Sequence, residues 1–314
     1  MMARGQGIIS RFKHLDKHLK SSKLRRLGNN LFVAPALVFI VLIMLYPLGY
    51  NLYLSLHDAT VGTLLTGNAP FIGFENYRKI IGDPTFRHSV VVSALFTGGS
   101  LFFQFIGGFA LALFFNRSFP GSGILRALLL LGWLLPIVVS ANIWRWMLDG
   151  SYGVVNHLLQ NLGILQNPQF WLTEPRTALI GVIIANIWLG VPFNAILLLA
   201  GLQGIPLSLY EAAKIDGANP WQRLLYITLP QMRPVALTVL LLGFIYTFKV
   251  FDLIYVMTSG GPVDVTTTLP ILTYDLTFEF FRFGEGATAA AMLLLISLSL
   301  SLVYLWLIRR EEAA

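Results

Sequence analysis

The chain has 314 residues, of which 56% are hydrophobic and only 12% charged, and its mean hydropathy is +0.70. A soluble domain carries about twice that charge, so a water-soluble globular protein is excluded and a polytopic membrane protein is indicated. With no cysteine there is no disulfide, thiolate nucleophile or cysteine metal site. The net charge of +7 speaks for membrane orientation and not for nucleic acid, because of where the bases stand.

Residues 1–30 hold Arg4, Arg11, Lys13, Lys17, Lys20, Lys23, Arg25 and Arg26 against the single acid Asp16. No small-residue cleavage site follows, and the next apolar run is too long for a signal core, so a retained basic arm is expected. Ile8, Phe12, Leu15 and Leu19 fall at helical spacing between bases. That pattern suits an interfacial helix on anionic headgroups, and equally a basic tail that serves only topology. His14 and His18 are spaced to chelate a metal, but no third ligand stands nearby, and a solvated polar face is the reading.

A membrane span needs about 20 apolar residues. Six runs qualify, at about 31–55, 88–115, 124–148, 177–203, 233–257 and 284–308. The expected fold class is an all-α membrane protein with six transmembrane helices. Pro35 and Pro47 lie inside the first run, where neighbouring helices can satisfy the freed backbone groups. Gly98, Gly99, Gly107, Gly108, Ala110 and Ala112 stud the second, as close helix packing in lipid requires.

The intervals alternate in charge. The arm, the 116–123 turn with Arg117, the interval holding Lys214, Arg223 and Arg233, and the tail with Arg309 and Arg310 are base-rich. The intervals 56–87, 149–176 and 258–283 hold few bases for their length. The positive-inside rule therefore places both termini, and residues 207–230 with them, in the cytoplasm. Residues 71–77, with aromatic and turn residues mixed, are expected to fold as a small external cap. The 258–283 interval bends at Gly260-Gly261-Pro262 and gathers Phe278, Phe280, Phe281 and Phe283. Those aromatics suit an interfacial anchor or a contact with an external binding protein.

No phosphate loop of the G-x-x-x-x-G-K-[ST] form occurs, so the chain holds no ATP in the usual way. No H-E-x-x-H pair or G-x-S-x-G elbow occurs either, and no nucleophile and base can be paired in one cavity. Polar groups within spans nevertheless stand out, and an ionisable one there suggests function by default. They are Asn186, Trp188 and Asn194 in the fourth run, and Tyr246, Thr247, Lys249 and Asp252 in the fifth. Lys249 and Asp252, three apart, are spaced to pair on one helix face, as are Arg145 and Asp149 at the end of the third. Asn186, Gly190 and Phe193 share one face of the fourth helix. Tyr246, Thr247 and Val250 are expected to do the same on the fifth. Amides and hydroxyls bind sugar hydroxyls, and aromatic rings stack on sugar faces.

The stretch Glu211–Pro230, EAAKIDGANPWQRLLYITLP, stands in the polar interval between the fourth and fifth runs. It reads as two short amphipathic helices. Ser208 and Glu211 are spaced as a capping box that starts the first near Leu209. Gly217 supplies a positive φ at its end. Asn219 caps the second, with Pro220 at its first position, and Pro230 ends it. Helices of this kind outside the bilayer read as a docking knob and not as filler.

The same stretch carries a resemblance. Glu211-Ala212-Ala213, Gly217 after three residues, and then Ile227-x-Leu229-Pro230 resemble the EAA loop of ABC-importer permeases. Asn186-Ile187-Trp188-Leu189-Gly190-Val191-Pro192, Gly201-Leu202-Gln203-Gly204-Ile205-Pro206, Phe251-Asp252-Leu253-Ile254-Tyr255 and Thr258-Ser259-Gly260-Gly261-Pro262 narrow it. They resemble the larger maltose-type permease subunit and its disaccharide and glycerol-phosphate relatives, from about Leu31 to the C-terminus. The resemblance implies a type I importer permease of the bacterial cytoplasmic membrane. It implies that Glu211, Ala212, Ala213, Asp216, Gly217, Ile227, Leu229 and Pro230 couple to a separate ATPase dimer, which binds ATP and Mg, so that this chain needs no cofactor. It implies a second homologous permease and an extracytoplasmic sugar-binding lipoprotein as further partners, with no nucleic acid. By the same resemblance Asn186, Leu189, Gly190, Phe193, Gly243, Tyr246, Thr247 and Val250 stand at sugar-contacting positions, with Lys249 beside them. Where that subunit places Asn in the fifth span, this chain has Thr247 and Val250. The organisation expected is an arm over 1–30, a first span and cap over 31–87, a five-helix core over 88–308 with coupling helices at 207–230, and a tail over 309–314. A secondary transporter would need inverted repeats and several intramembrane acids. A membrane enzyme would need an acid–base pair. A permease for peptides or phosphate would lack the Phe-Asp-Leu-Ile-Tyr text. A permease for glycerol phosphate or another solute remains an alternative to the disaccharide reading.

Overall fold

The computed structural model describes residues 33–312; the arm, with its expected interfacial helix and the His14/His18 pair, lies outside the described residues. Residues up to Leu54 form one compact unit and those from Ser55 onward a second. Among the described residues every regular element is a helix, apart from an isolated bridge between His57 and Phe71.

Helix α1 (Val33–Ser55) holds 23 residues without a charge, and its Val38–Leu45 side chains are all exposed, as suits contact with lipid. In a regular helix the Pro47 ring would strike the carbonyl of Ile43. The preceding turn, Val41–Leu45, widens to a π-turn, with Tyr46 N–H bonded to Val41 O. The misfit is thus absorbed within α1 itself.

The second unit begins with the cap. Helix α2 (Val61–Leu65) is capped by Thr60, and α3 (Glu75–Gly82) follows a turn in which Gly73 takes φ +60°. The buried Asn76 amide staples the cap, donating to Ser55 O at 3.1 Å and His57 O at 2.9 Å. Helix α4 (Pro84–Phe115) starts where Asp83 accepts from Thr85 N–H, with Pro84 at the first position. Helices α5 (Ser122–Leu134) and α6 (Ile137–Met147) meet at 94°. The third apolar run is therefore not one straight span. Pro136 forces Leu135 out of the helical region, to ψ 139°, and the helix stops there.

A short α7 (Val154–Asn161) leads to α8 (Ala178–Gln203), then α9 (Leu207–Ile215), α10 (Pro220–Phe248), α11 (Asp252–Thr258), α12 (Leu269–Tyr274, extended by a π-turn over Asp275–Glu279) and α13 (Phe283–Glu312). Among the described residues five helices are long and apolar enough to cross a membrane, six if the bent α5–α6 pair is one span. Helix α8 is central to this unit and packs on α4, α5, α6, α10 and α11. The small residues of α4 are what allow its approach. A Cβ on Gly108 would stand 2.6 Å from Asn194 Cβ and 3.1 Å from Ala195 N, and one on Gly107 would stand 3.2 Å from Val191. Gly98, by contrast, faces open space.

The fifth run departs most from its expected bounds of 233–257. It begins at Pro220, so the second short helix of the hairpin and the span are one rod. Pro230 does not end the helix. The turn Leu224–Thr228 is a π-turn, with Leu229 N–H reaching Leu224 O, and it takes up the Pro230 ring as the one in α1 takes up Pro47. The rod then stops early, at Phe248, because Lys249–Phe251 leave the helix before α11 begins.

Candidate substrate cavity and coupling hairpin

The break between α10 and α11 opens onto a cavity of about 450 Å³. Asn186, Leu189, Gly190 and Phe193 of α8 line one side. Gly243, Tyr246 and Thr247 of α10, with Lys249 and Val250 in the break, line the other. The nine path residues expected from sequence thus meet around one space. Phe193 is the centre of an aromatic wall: it stacks on Trp133 at 5.4 Å and meets Tyr246 edge-on at 5.8 Å.

Polar groups sit among these rings. Asn186 is 5% exposed, and its side-chain N–H₂ has no hydrogen-bond acceptor within the protein. Buried amides are nearly always satisfied, so this unpaired donor is an exception. Its backbone carbonyl is already taken by Gln104 Nε2 at 2.8 Å. Gly190 is needed for a different reason than ligand contact, since a Cβ there would fall inside the Gln104 amide. Asn194 donates back to Gly190 O at 2.9 Å and closes the same seam.

The expected Lys249–Asp252 pair does not form. The two residues are three apart, but the helix that would align them is broken between them. Both line the cavity, and the Lys249 ammonium lies over the Tyr246 ring at 5.4 Å. Nor do Arg145 and Asp149 pair. Arg145 donates to Val256 O at 3.3 Å, and Asp149 accepts from the N–H groups of Ser151 and Tyr152. Among the described residues the ion pair present is Arg282 with Glu285, and no cluster of three or more metal-ligating side chains occurs.

Gln104 and Trp133 also line the cavity and were not singled out from sequence. Gln104 had a signal, being the one carboxamide in the 88–115 run. Trp133 had none, because the α5–α6 bend that turns it inward is a tertiary feature.

At one end of the unit, α9 and the start of α10 form a hairpin. Ser208 does not cap α9, which begins at Leu207 directly after Pro206, with no side-chain cap. Its C-terminus closes as expected. Gly217 takes φ +77°, and the Gly217→Lys214 and Ala218→Ala213 backbone bonds make a Schellman turn. Asn219 and Gln222 then cap each other reciprocally at 2.9 and 2.8 Å, with Pro220 at the first position. Glu211, Ala212, Asp216 and Gly217 are exposed on this hairpin, as are Leu229 and Pro230 further along α10; Ala213 and Ile227 are half-buried. Large apolar side chains flank the turn in the open, Ile215 at 87% and Trp221 at 72% exposure. Together they form an exposed apolar patch at the tip.

Residues 104–312 match the family of binding-protein-dependent transport system inner membrane components. The chain belongs to that family. It is 37% identical over 276 residues to the trehalose/maltose transport system permease protein MalF of Thermococcus litoralis, covering 86% of this chain and 90% of that one. It is 36% identical to the sulfoquinovosyl glycerol transport system permease protein SmoG of Agrobacterium fabrum, over 90% of both chains. It is 34% identical to the trehalose transport system permease protein SugA of Mycobacterium tuberculosis, over 82% of this chain and 80% of that one. Among solved structures, a chain of a bacterial ABC transporter involved in the import of the acidic polysaccharide alginate superposes with a TM-score of 0.79. It is 24% identical and covers 93% of this chain and 99% of its own, a likeness of fold. The resemblance read from the EAA text and its flanks therefore holds. This is a multi-pass membrane permease subunit of the ABC-importer type, and not an enzyme.

Proposed function

We propose that this chain forms half of the translocation path of an ATP-driven importer for a disaccharide-sized sugar. The observation that carries the reading is the cavity. Its volume of about 450 Å³ lies in the range of small-molecule sites, about 300–1,000 Å³. It joins a ring wall of Trp133, Phe193 and Tyr246 to an unclaimed Asn186 amide, which is the chemistry that recognises the apolar face and the hydroxyl edge of a sugar. The relatives named for trehalose, maltose and sulfoquinovosyl glycerol support the class. A second reading, a sugar bearing an acidic group, is favoured by Lys249, which lines the cavity with no carboxylate within 4 Å among the described residues.

The hairpin is the coupling element, on the cytoplasmic side, where the bases of its interval place it. Its α9 carries Glu211-Ala212-Ala213, and its exposed Ile215 and Trp221 are the contacts for an ATPase that supplies ATP hydrolysis and Mg. Because α10 runs unbroken from Trp221 to the cavity residues Gly243–Thr247, a push on the tip is delivered to the cavity wall by one rod. A second permease of the same family completes the path. An external sugar-binding protein delivers the substrate; a solved bacterial alginate ABC transporter is in complex with an alginate pentasaccharide-bound periplasmic protein.

Uptake of radiolabelled trehalose and maltose into vesicles holding the whole importer tests the substrate assignment. Phe193→Ala removes the centre of the aromatic wall and is expected to raise the half-saturating sugar concentration by about tenfold, with assembly unchanged. Unchanged uptake kinetics in this variant for every sugar that the wild type carries would contradict it.

A further inference from the structure

A second cavity, of about 480 Å³, lies at the root of the hairpin and is separate from the sugar path. It is an open cavity lined by the end of α4 (Leu113, Asn116, Arg117), the end of α8 (Leu202), Tyr210 of α9 and the first turns of α10 (Trp221, Arg223, Leu224, Thr228). Three observations bear on what enters it. Its two ionisable cations, Arg117 and Arg223, have no hydrogen bond or ion pair from their side chains among the described residues, and no acid lines the space. Arg223 Nε is buried without an acceptor. The cavity sits where two apolar spans stop, at Phe115 and Gln203, which is headgroup depth for a bilayer.

A buried guanidinium N–H without an acceptor is a donor awaiting one, and a fork of this kind matches a phosphate oxygen. The remaining walls suit the rest of a lipid. Leu113, Leu202 and Leu224 supply apolar lining. The Tyr210 hydroxyl, held by Thr228 Oγ1 at 2.9 Å, supplies a further polar group.

We propose that this cavity binds the phosphate of an anionic phospholipid headgroup between Arg117 and Arg223. The lipid wedges under the hairpin, touching both α4, on the fixed side, and the first turns of α10. Its occupancy sets how firmly the tip is held against the spans, so that the lipid composition of the leaflet tunes the force-transmitting element.

The test is a thermal-shift titration of the purified full-length chain in detergent with short-chain phosphatidylglycerol, short-chain phosphatidylcholine and inorganic phosphate. The wild type is expected to be stabilised by phosphatidylglycerol and little by the other two. Arg117→Gln with Arg223→Gln is expected to weaken the half-saturating concentration by about tenfold, the loss that follows from removing charge-assisted hydrogen bonds. Arg117 is exposed, so Arg117→Gln alone leaves the packing intact and is expected to give part of the same loss should the double variant fold poorly. A response to phosphatidylglycerol that is the same in the variants as in the wild type would overturn the site. An equal shift with inorganic phosphate alone would overturn the lipid as its occupant.

Discussion

The two walls of the candidate substrate cavity are built in opposite ways. Helix α8 is clamped to α4 along its length: Gly107 and Gly108 admit Val191 and Asn194, Gly190 admits Gln104, and 44% of its most apolar stretch is buried. Helix α10 buries only 17% of its own, includes a π-turn, and ends in a break within the cavity itself. One wall is fixed by backbone approach that no side chain could tolerate. The other is a lightly packed rod whose far end is the exposed hairpin. This asymmetry supports the proposal that α8 is a reference surface and α10 the part that moves against it.

Breaking the fixed wall is expected to have the largest effect. Gly108→Leu places a branched side chain where even a Cβ stands 2.6 Å from Asn194, and destabilisation by ~3 kcal/mol or more is expected, read as loss of a folded, monodisperse protein on size exclusion. The same change at Gly98, which faces open space, is expected to be tolerated. Disconnecting the α10 rod from a driving ATPase comes next. Glu211→Ala lies on an exposed face, so it is expected to leave insertion and folding intact and to lower sugar-stimulated ATP hydrolysis of the whole importer by about tenfold.

The smallest effect lies at the other end of α4, where Ser93 Oγ accepts from Leu269 N–H of α12 at 2.8 Å. On the same helix the Asp275 carboxyl is pushed up from 3.8 to about 6, by burial first and then by Glu279 and Asp264. A carboxyl raised on folding holds a proton that the unfolded chain releases. Stability is therefore greatest below 3.8 for this group and falls as pH rises through about 6. The group is partly in solvent, so the change is expected to stay below ~1 kcal/mol. Asp275→Asn is expected to flatten the fall in melting temperature over that window, and an unaltered pH profile would remove Asp275 as its source.

Much of this asymmetry was legible in the residues. The small residues of the 88–115 run announced close packing, and the fourth-span face of Asn186, Gly190 and Phe193 followed from helical spacing alone. Gly217, Asn219 and Pro220 announced the hairpin turn because each satisfies a local backbone demand. What was not legible depends on how a helix handles a proline or a break. Pro230 looks like a terminator, yet a π-turn before it lets the helix pass, as another does before Pro47 inside the first run. Pro136 looks no different and bends its helix by 94°, because Leu135 is driven extended. The Lys249–Asp252 spacing promised a pair only on an unbroken helix. Ser208 was displaced from its capping role by Pro206, which already sets the start of α9.

The central claim is that the hairpin tip and the cavity wall are one body moving against α8. The chain has no cysteine, so introduced labels are the only ones on this subunit. Spin labels at Gln222→Cys and Thr238→Cys lie on the α10 rod, about 24 Å apart by helical rise, and Ala200→Cys marks α8. Distances measured in the whole importer with and without ATP are predicted to leave the 222–238 separation unchanged and to shift both the 222–200 and the 238–200 separations. A 222–238 separation that changes while 238–200 stays constant would show the rod folding at its π-turn, and would contradict the account.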